Sequence, residues 1–564
     1  GKLVVFDEFH LMGPSEAFAT AVFGASLFKD YCTTVWMTAT ATSPLTERLG
    51  LELGAVEIVL SDEELSLLFE GRGIRRILRL HLDRTISADD VLAEKGRVLV
   101  VMNTVGQAQQ LFREVLAAGR SPLLLHARFF ADDRQKKQAE LKDAALVIAT
   151  QVIEAGVNIS AESVLTELAP VNSVVQRAGR CARFAGETGT VHVFKPRSRM
   201  PYEETDLRKA AGCLSDTDAV SPAQCAEWVQ AAHADQDRLA LAGWTSLLDR
   251  RRDLIAGHVT GEGPCGAAAF IRNREDSVRL YLLANSREVQ PQDRQSLTIY
   301  RSALRRFAAT LECYDGENWA AGDPATAYAV CLPLSVARYT SEAGLELGQE
   351  GSIESPPKLR REKPGYPAIK GEPWWTHTLN VARHCSLRLG EEGLGNELEE
   401  LARKAGLLHD VGKLTHGWQA WARARYAAKG QRAEGAIAHT DYDRAVDRGV
   451  PKPPKHTSAS TVFSASLCEE AGETEACAIL LAVLGHHGGT LLGVERPDKL
   501  DSSASKALAL AGLEIPVASP AHSVQDLLRC GIRESFESVW PLAAILSRVL
   551  RLADQMATAE VSSE

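Results

Sequence analysis

The sequence predicts a multidomain protein in which an α/β half built on parallel sheets is followed by an all-α half. Three observations carry this. The chain has 564 residues, too many for one core at about 100–200 residues per domain. Short apolar runs alternate with amphipathic stretches through the first 200 residues. After residue 374 the apolar positions recur at helical spacing only. With 45% hydrophobic and 24% charged residues, the composition excludes disordered, collagen-like and disulfide-scaffold chains.

The apolar runs are Leu3–Phe6, Thr34–Met37, Val98–Met102, Leu123–Leu125, Leu146–Ala149 and Val191–Phe194. Each is short and rich in β-branched residues or Leu, as expected of strands buried on both faces. Helical patterns such as Thr104–Ala118 and Asp132–Lys142 lie between them, which implies a parallel sheet covered by helices. Residues 201–338 are less regular and are expected to form an accessory domain. They carry a helical pattern at Pro222–Asp249 and strand-like pieces at Ser277–Ala284 and Ala327–Leu334. Residues 339–373 turn to Gly, Glu, Pro, Lys and Ser and read as a linker. In residues 374–564, Leu398, Leu401, Ala405 and Leu408 make one apolar helix face.

The longest nearly uncharged apolar run, Ala476–Gly485, is about half of a bilayer span, so no membrane partner is expected. Eleven scattered cysteines without a CxxC pair point to a reduced, cytoplasmic setting. A net charge of −10 argues against a general nucleic-acid coat but leaves room for a local basic groove. Arg72–Arg84 and Lys358–Lys370 are basic runs, read first as solvated faces and second as strand contacts. The chain opens on the strand pattern itself, at Gly1-Lys2-Leu3, and is read as a fragment lacking its N-terminal part.

Asp7 and Glu8 follow the first strand, at the sheet edge where α/β folds bind ligands. In a nucleotide hydrolase such a pair holds Mg²⁺ and orients the attacking water. Arg177, Arg180 and Arg183 recur every three residues, an arrangement expected to aim guanidiniums at phosphate from one side. Asp7-Glu8-Phe9-His10 resembles motif II of superfamily 2 helicases, and Thr38-Ala39-Thr40 resembles motif III. Residues 149–158, Ala-Thr-Gln-Val-Ile-Glu-Ala-Gly-Val-Asn, resemble motif V, with Asn158 where Asp is usual. Residues 176–183, Gln-Arg-Ala-Gly-Arg-Cys-Ala-Arg, resemble motif VI.

By that resemblance residues 1–70 are the remainder of one RecA-like domain and residues 71–200 are a second. Asp7, Glu8, Gln176, Arg177, Arg180 and Arg183 would bind ATP and Mg²⁺, with Asp7, Glu8, Arg180 and Arg183 acting in catalysis. No GxxxxGK[ST] loop occurs in the sequence, so the motor is expected to be incomplete and ATP binding weak.

Nine of the fifteen histidines lie at or after residue 377. Residues 409–413, His-Asp-Val-Gly-Lys, end an apolar helix and offer a nitrogen and a carboxylate from one turn, where a carboxylate can bridge two cations. With His377, His456, His486-His487 and Asp554, the order resembles the HD phosphohydrolase superfamily, and the paired histidines resemble its two-metal nuclease branch. That resemblance implies a first cation held by His377, His409, Asp410 and Asp554. It implies a second held by His456, His486 and His487, with Asp410 bridging and Lys413 steadying a phosphate oxygen. Imidazole-rich ligation suits Mn, Fe, Co or Ni. His384, His416, His439 and His522 have no motif partner and are read as ordinary histidines. Trp374, Trp375, Trp418 and Trp421 are read as core before base-stacking.

A helicase fused to a C-terminal HD domain resembles the helicase-nuclease of type I CRISPR interference. The resemblance implies cleavage of single-stranded DNA, ATP-driven 3′–5′ translocation and recruitment by an RNA-guided surveillance complex. Two other readings are an HD-type nucleotide phosphohydrolase with a regulatory helicase-like half, and a non-catalytic docking module.

Overall fold

The computed structural model describes residues 2–12, 16–61, 63–64, 67, 71–261, 277–282, 295–314, 318–325, 327, 329–333, 335–349, 372–392, 395–428, 430, 432, 434–440, 451–488 and 490–561. The first element, β1 (Lys2–Asp7), leads through α1 (Glu16–Leu27) to β2 (Cys32–Met37), with which it pairs in parallel. Burial was expected on both faces of β1. Instead Leu3 is 61% and Val5 47% exposed. A parallel strand is shielded by neighbours and by helices on both sides, and here the described sheet has two strands.

A six-stranded sheet follows, built from β3 (Arg75–His81), β4 (Val98–Val101), β5 (Leu123–Leu125), β6 (Leu146–Ala149), β7 (Ser163–Glu167) and β8 (Thr188–Phe194). Its order is β3-β8-β7-β4-β6-β5 and every pairing is parallel. Every residue of β4, β6 and β7 is buried, with separate apolar clusters on the two faces. This is the expected consequence of covering a parallel sheet with helices, among them α2 (Val171–Ala178). The basic run on β3 is tied to protein groups: Arg76 Nε donates to Cys181 O at 2.7 Å and Arg75 Nε to Asp218 O at 3.1 Å. The second basic run, 358–370, lies outside the described residues.

The stretch expected to be one accessory domain divides in two. Its helices α3 (Glu204–Cys213), α4 (Pro222–Ala240) and α5 (Trp244–Thr260) join neighbouring cores. Leu207, Trp228 and Val229 enter the six-stranded core, Trp244 packs with Phe18 of α1, and Ile255 and Val259 pack on the C-terminal helices. The strands β9 (Ser277–Leu282), β10 (Leu297–Tyr300), β11 (Glu312–Tyr314), β12 (Trp319–Ala321) and β13 (Ala329–Leu332) form a separate mixed sheet.

Residues 339–349, read from composition as the start of a linker, are largely structured. A hairpin of β14 (Ala337–Thr340) and β15 (Gly344–Leu347) is locked to the six-stranded domain. Gln109 Nε2 donates to Ala343 O at 2.8 Å, and the Tyr339 hydroxyl donates to Asp133 at 2.6 Å. Composition records the turn-forming residues but not the docking. The remainder of the stretch read as linker, 350–371, lies outside the described residues.

The last third is helical: α6 (Trp374–Glu392), α7 (Asn396–Leu408), α8 (His416–Ala428), α9 (Thr457–Ser466), α10 (Glu473–Gly485), α11 (Ala521–Glu534) and α12 (Phe536–Val561). Among the described residues no helix is long and apolar enough to cross a membrane. Trp374 and Trp418 are core residues, as expected, and Trp374 Nε1 donates to Asp410 O at 2.8 Å.

Helices α6 and α7 cross at Gly406, where a Cβ would lie 2.8 Å from Ala382 Cα and 3.2 Å from Cys385 Sγ. That approach sets where His377 and His409 meet. Gly406→Ala is therefore expected to destabilise the protein by about 1–3 kcal/mol through overpacking, read as a lower midpoint in urea unfolding.

Candidate metal centre and nucleotide cleft

Each histidine of the C-terminal constellation is delivered by a helix end or a helix face. Helix α7 stops at Leu408, and the next turn, Val411–Leu414, is a 3₁₀ segment. Gly412 is the residue that lets α9 sit on this turn: a Cβ there would lie 2.1 Å from His456 O and 2.6 Å from Ser460 N. The contact is sealed by Gly412 N donating to Ser460 Oγ at 2.9 Å. It brings His456, just before α9, onto Asp410. His486 and His487 follow the end of α10, His377 lies in the first turn of α6, and Asp554 projects from α12.

The geometry converges on the Asp410 carboxylate. Its Oδ2 is 3.1 Å from His409 Nε2, 3.8 Å from His377 Nε2 and 2.6 Å from Lys413 Nζ. Its Oδ1 is 3.2 Å from His456 Nε2 and 3.8 Å from His486 Nε2. Asp554 Oδ1 approaches His377 Nε2 at 3.2 Å. His409 Nδ1 lies 2.7 Å from Gly406 O and His486 Nδ1 2.5 Å from Val483 O. A carbonyl only accepts, so both Nδ1 atoms carry a proton and both Nε2 atoms face Asp410.

Both Asp410 oxygens, Asp554 Oδ1 and the Nε2 atoms of His409, His456 and His486 are buried without a hydrogen-bond partner. Buried polar atoms are ordinarily satisfied, so a convergent set left open fits cation ligands. His456, His486 and His487 form one close group of ligand atoms, and His377, His409 and Asp410 another.

The electrostatics suit that use. Burial alone would raise the Asp410 carboxyl, but the adjacent His409 and Lys413 hold it well below the usual carboxylate range. Burial pushes His456 down to about 4, so at neutral pH it is neutral and offers a lone pair; His487 beside it is exposed. At His377 burial is outweighed by the nearby Asp554 and Glu372 carboxylates, 3.2 and 3.4 Å from its ring nitrogens, which lift it to about 9.

Two contributors were missed in the sequence. Glu372 is 4% exposed with its Oε2 3.4 Å from His377 Nδ1. His439, read as ordinary, stands edge-on to His377 with ring centroids 4.2 Å apart. Neither sits at a motif spacing, and the stretch containing Glu372 has the composition of a linker. His384 behaves as an ordinary core histidine, paired with Glu560 at 2.9 Å.

The helicase-like boxes surround a second site, a cavity of about 850 Å³ between β1 and α2. Asp7, Glu8, Asn158, Gln176, Arg180 and Arg183 line it. Glu8 holds a left-handed backbone, φ 51°, an uncommon state for a non-glycine residue and typical of functional sites. Its carboxylate lies 3.4 Å from Gln176 Nε2. Burial, with Asp7 alongside, raises its pKa. Arg183 Nε donates to Asn158 Oδ1 at 3.0 Å, so the residue that departs from the usual motif V Asp still engages motif VI.

Arg177 is a correction. It is fully buried, donating to Glu154 at 2.8 Å, Thr166 at 2.8 Å and Asn103 at 3.0 Å, and it does not face the cleft. Helix α2 ends at Ala178, so a spacing of three no longer keeps the guanidiniums on one side.

The parallel sheet with its bordering cleft, joined to a helical carboxylate–histidine centre, defines the class: a helicase-type domain fused to an HD-type domain. Residues 94–186 match the family model described as CRISPR-associated nuclease/helicase Cas3, C-terminal, and residues 368–558 match the one described as Cas3, HD domain. The chain thus joins in one polypeptide segments that match both of these Cas3 family models. It is similar to the CRISPR-associated endonuclease/helicase Cas3 of Thermus thermophilus, 26% identical over 338 residues, 54% of this chain and 33% of that protein. It is also similar to the CRISPR-associated helicase Cas3 of Thermoproteus tenax, 24% identical over 156 residues, 26% of this chain and 27% of that protein. Among solved structures, T. fusca Cas3 with ADP aligns with a TM-score of 0.44 and 15% identity, over 62% of this chain and 54% of that one. The chain spans about half the length, or less, of these relatives.

Two outcomes follow from the electrostatics and the burial. At pH 7.5 a His377 lifted to about 9 is protonated before a cation arrives, so loading its position releases about one proton. Calorimetric metal titration in buffers of different ionisation enthalpy reads that proton, and its absence counts against His377 as a ligand. Arg177→Ala leaves the buried Glu154 without its ion-pair partner and is expected to cost about 3–5 kcal/mol. Arg183→Ala, at the cleft rim, costs under about 1 kcal/mol. Denaturant unfolding separates the two.

Proposed function

We propose that this chain is the nuclease-bearing part of a type I CRISPR interference effector: a metal-dependent HD nuclease that cleaves single-stranded DNA, coupled to a 3′–5′ ATP-dependent helicase. The observation that carries the reading is the convergence of unpartnered, buried ligand atoms on Asp410, within the segment that matches the Cas3 HD model. In this reading His377, His409, Asp410 and Asp554 hold one divalent transition cation. His456, His486, His487 and the bridging Asp410 hold a second. Such cations, when bound, activate water and neutralise charge developing on a phosphodiester.

The protein's own contribution is orientation and charge. His409 and His486 are held with Nε2 inward by carbonyls one helical turn back. Lys413, held by Asp410 at 2.6 Å, provides a positive charge for a phosphate oxygen. Because the walls are buried, these charges act in a poorly screened site.

In the motor half, Asp7 and Glu8 are assigned to Mg²⁺ and the hydrolytic water. Gln176, Arg180 and Arg183 are assigned to ATP; Arg177 is assigned to holding α2 in place. The relatives are named as CRISPR-associated proteins, and one similar structure is a CRISPR RNA-guided surveillance complex in a pre-nicking state. An RNA-guided surveillance complex is accordingly the proposed partner, in the cytoplasm, where ten cysteines among the described residues are free thiols.

The test is cleavage of circular single-stranded DNA by the metal-stripped chain reloaded with Mn²⁺, Co²⁺ or Ni²⁺, without ATP. Cutting is expected with wild type and is expected to fall to background in Asp410→Ala. Metal binding without cutting, together with phosphate release from free nucleotides, transfers the assignment to a nucleotide phosphohydrolase.

A further inference from the structure

The imidazoles around Asp410 are held from behind in two different ways. His409 and His486 rest their Nδ1 atoms on the carbonyls of Gly406 and Val483. His377 rests on a carboxylate instead. Its Nε2 faces Asp554 Oδ1 at 3.2 Å and Asp410 Oδ2 at 3.8 Å, while its Nδ1 faces Glu372 Oε2 at 3.4 Å. His439 stands over the ring face, with centroids 4.2 Å apart and ring planes at 89°. The ring is thus confined by a carboxylate at its outer edge and an imidazole on its face.

Glu372 is delivered to this place by backbone contacts between distant segments. Trp374 N donates to Ala436 O at 2.9 Å and Ala438 N to Glu372 O at 3.0 Å. The Gln419 carboxamide donates to Ile437 O and accepts from Ile437 N, both at 2.9 Å. The side chain so placed is 4% exposed, and apart from the facing imidazole its carboxylate oxygens meet no hydrogen-bond donor. A buried carboxylate is costly unless positive charge accompanies it. A carboxylate behind a ligating imidazole fixes which nitrogen carries the proton and strengthens the other nitrogen as a metal ligand.

We propose that Glu372 is a positioning residue of the metal centre: it turns His377 so that Nδ1–H meets Glu372 and Nε2 meets the cation, and it makes the His377–Asp554 side the tighter of the two positions. The charges around the two sides differ in the same sense. A cation between His377 and Asp554 is compensated by Asp554 directly and by Glu372 through the ring. Lys413, 2.6 Å from Asp410 Oδ2, offsets much of the shared carboxylate on that side, which leaves Glu372 and Asp554 to supply the negative charge. On the other side His456 and His486 approach Asp410 Oδ1 at 3.2 and 3.8 Å and have no second carboxylate at ion-pair distance among the described residues. Glu372 therefore acts on one ion of the pair.

The inference rests on reading the Asp410 centre as a two-cation site, and one titration separates the two claims. The full chain, stripped of metal, is titrated with Co²⁺ against a competing chelator, and binding is followed by visible absorption. Wild type is expected to take up two ions in separable steps; uptake of fewer overturns the two-cation reading and this inference with it. His456→Ala is expected to remove the second step and spare the first, and loss of the first step instead overturns the assignment of the tighter position. Glu372→Gln keeps the size of the side chain and removes its charge. It is expected to weaken the first step about 10–100-fold, to leave the second unchanged, and to keep the absorption bands of the loaded protein, since no ligand is lost. Glu372→Asp, which keeps the charge, is expected to recover part of that loss, and it replaces Glu372→Gln in the comparison should the latter fail to fold. An unchanged first step, or equal weakening of both steps, overturns the positioning role while leaving the two-cation reading intact. Displaced bands with one ion lost make Glu372 a ligand and overturn it as well.

Discussion

The C-terminal domain is organised around a carboxylate that protein groups do not fully satisfy. Asp410 is 1% exposed, and both of its oxygens lack a hydrogen-bond partner while four imidazoles and an ammonium crowd them. Desolvating such a group is expensive unless positive charge accompanies it. Lys413 supplies one charge. The Nε2 atoms of His409, His456 and His486 all orient towards the same carboxylate, the place where further charge belongs. The domain is therefore built to bind something cationic, and its helices can be understood as the means of holding those nitrogens in register.

Close packing is what makes that register possible. Gly406 lets α7 approach α6, and Gly412 lets α9 rest on the 3₁₀ turn after His409; at either position a Cβ would fall inside contact distance. The two glycines act on different side chains of the centre, one bringing His377 to His409, the other bringing His456 to Asp410. Small shifts at either contact would be felt as displacement of a ligand nitrogen, because interiors at crystal-like density transmit volume changes.

The metal centre and the motor half share structure directly. Leu27 of α1 belongs to the helical core, and Phe23 stacks on Phe536 with ring centroids 6.1 Å apart. Phe536 begins α12, the helix that also carries Asp554. From α5, Arg252 donates to Arg533 O at 2.9 Å and pairs with Glu537 at 3.5 Å. The strand-and-helix unit that bears Asp7 and Glu8 thus packs against the helix that carries Asp554. This is a packed connection between two chemistries that the sequence presents as separate domains.

What was legible in the sequence was local. Adjacent residues share one backbone, so His409 with Asp410 and His486 with His487 could be read as paired ligands before any fold was known. Strands such as Val98–Val101 announce themselves because burial on both faces leaves no polar alternation. Periodicity reached only as far as its helix: the three arginines of motif VI parted at Ala178, and Arg177 turned inward to Glu154. Glu372 and His439 were invisible, since 66 residues and no spacing rule separate them, and a Gly- and Pro-rich composition disguised the first of them. Their meeting depends on backbone hydrogen bonds between distant segments and on Gln419 holding them together. By itself, then, the sequence determined which chemical groups were present and which neighbours travelled together. Which of them share a cavity, and which side of His377 each one faces, was decided by helix crossings and long-range hydrogen bonds that only the tertiary structure contains.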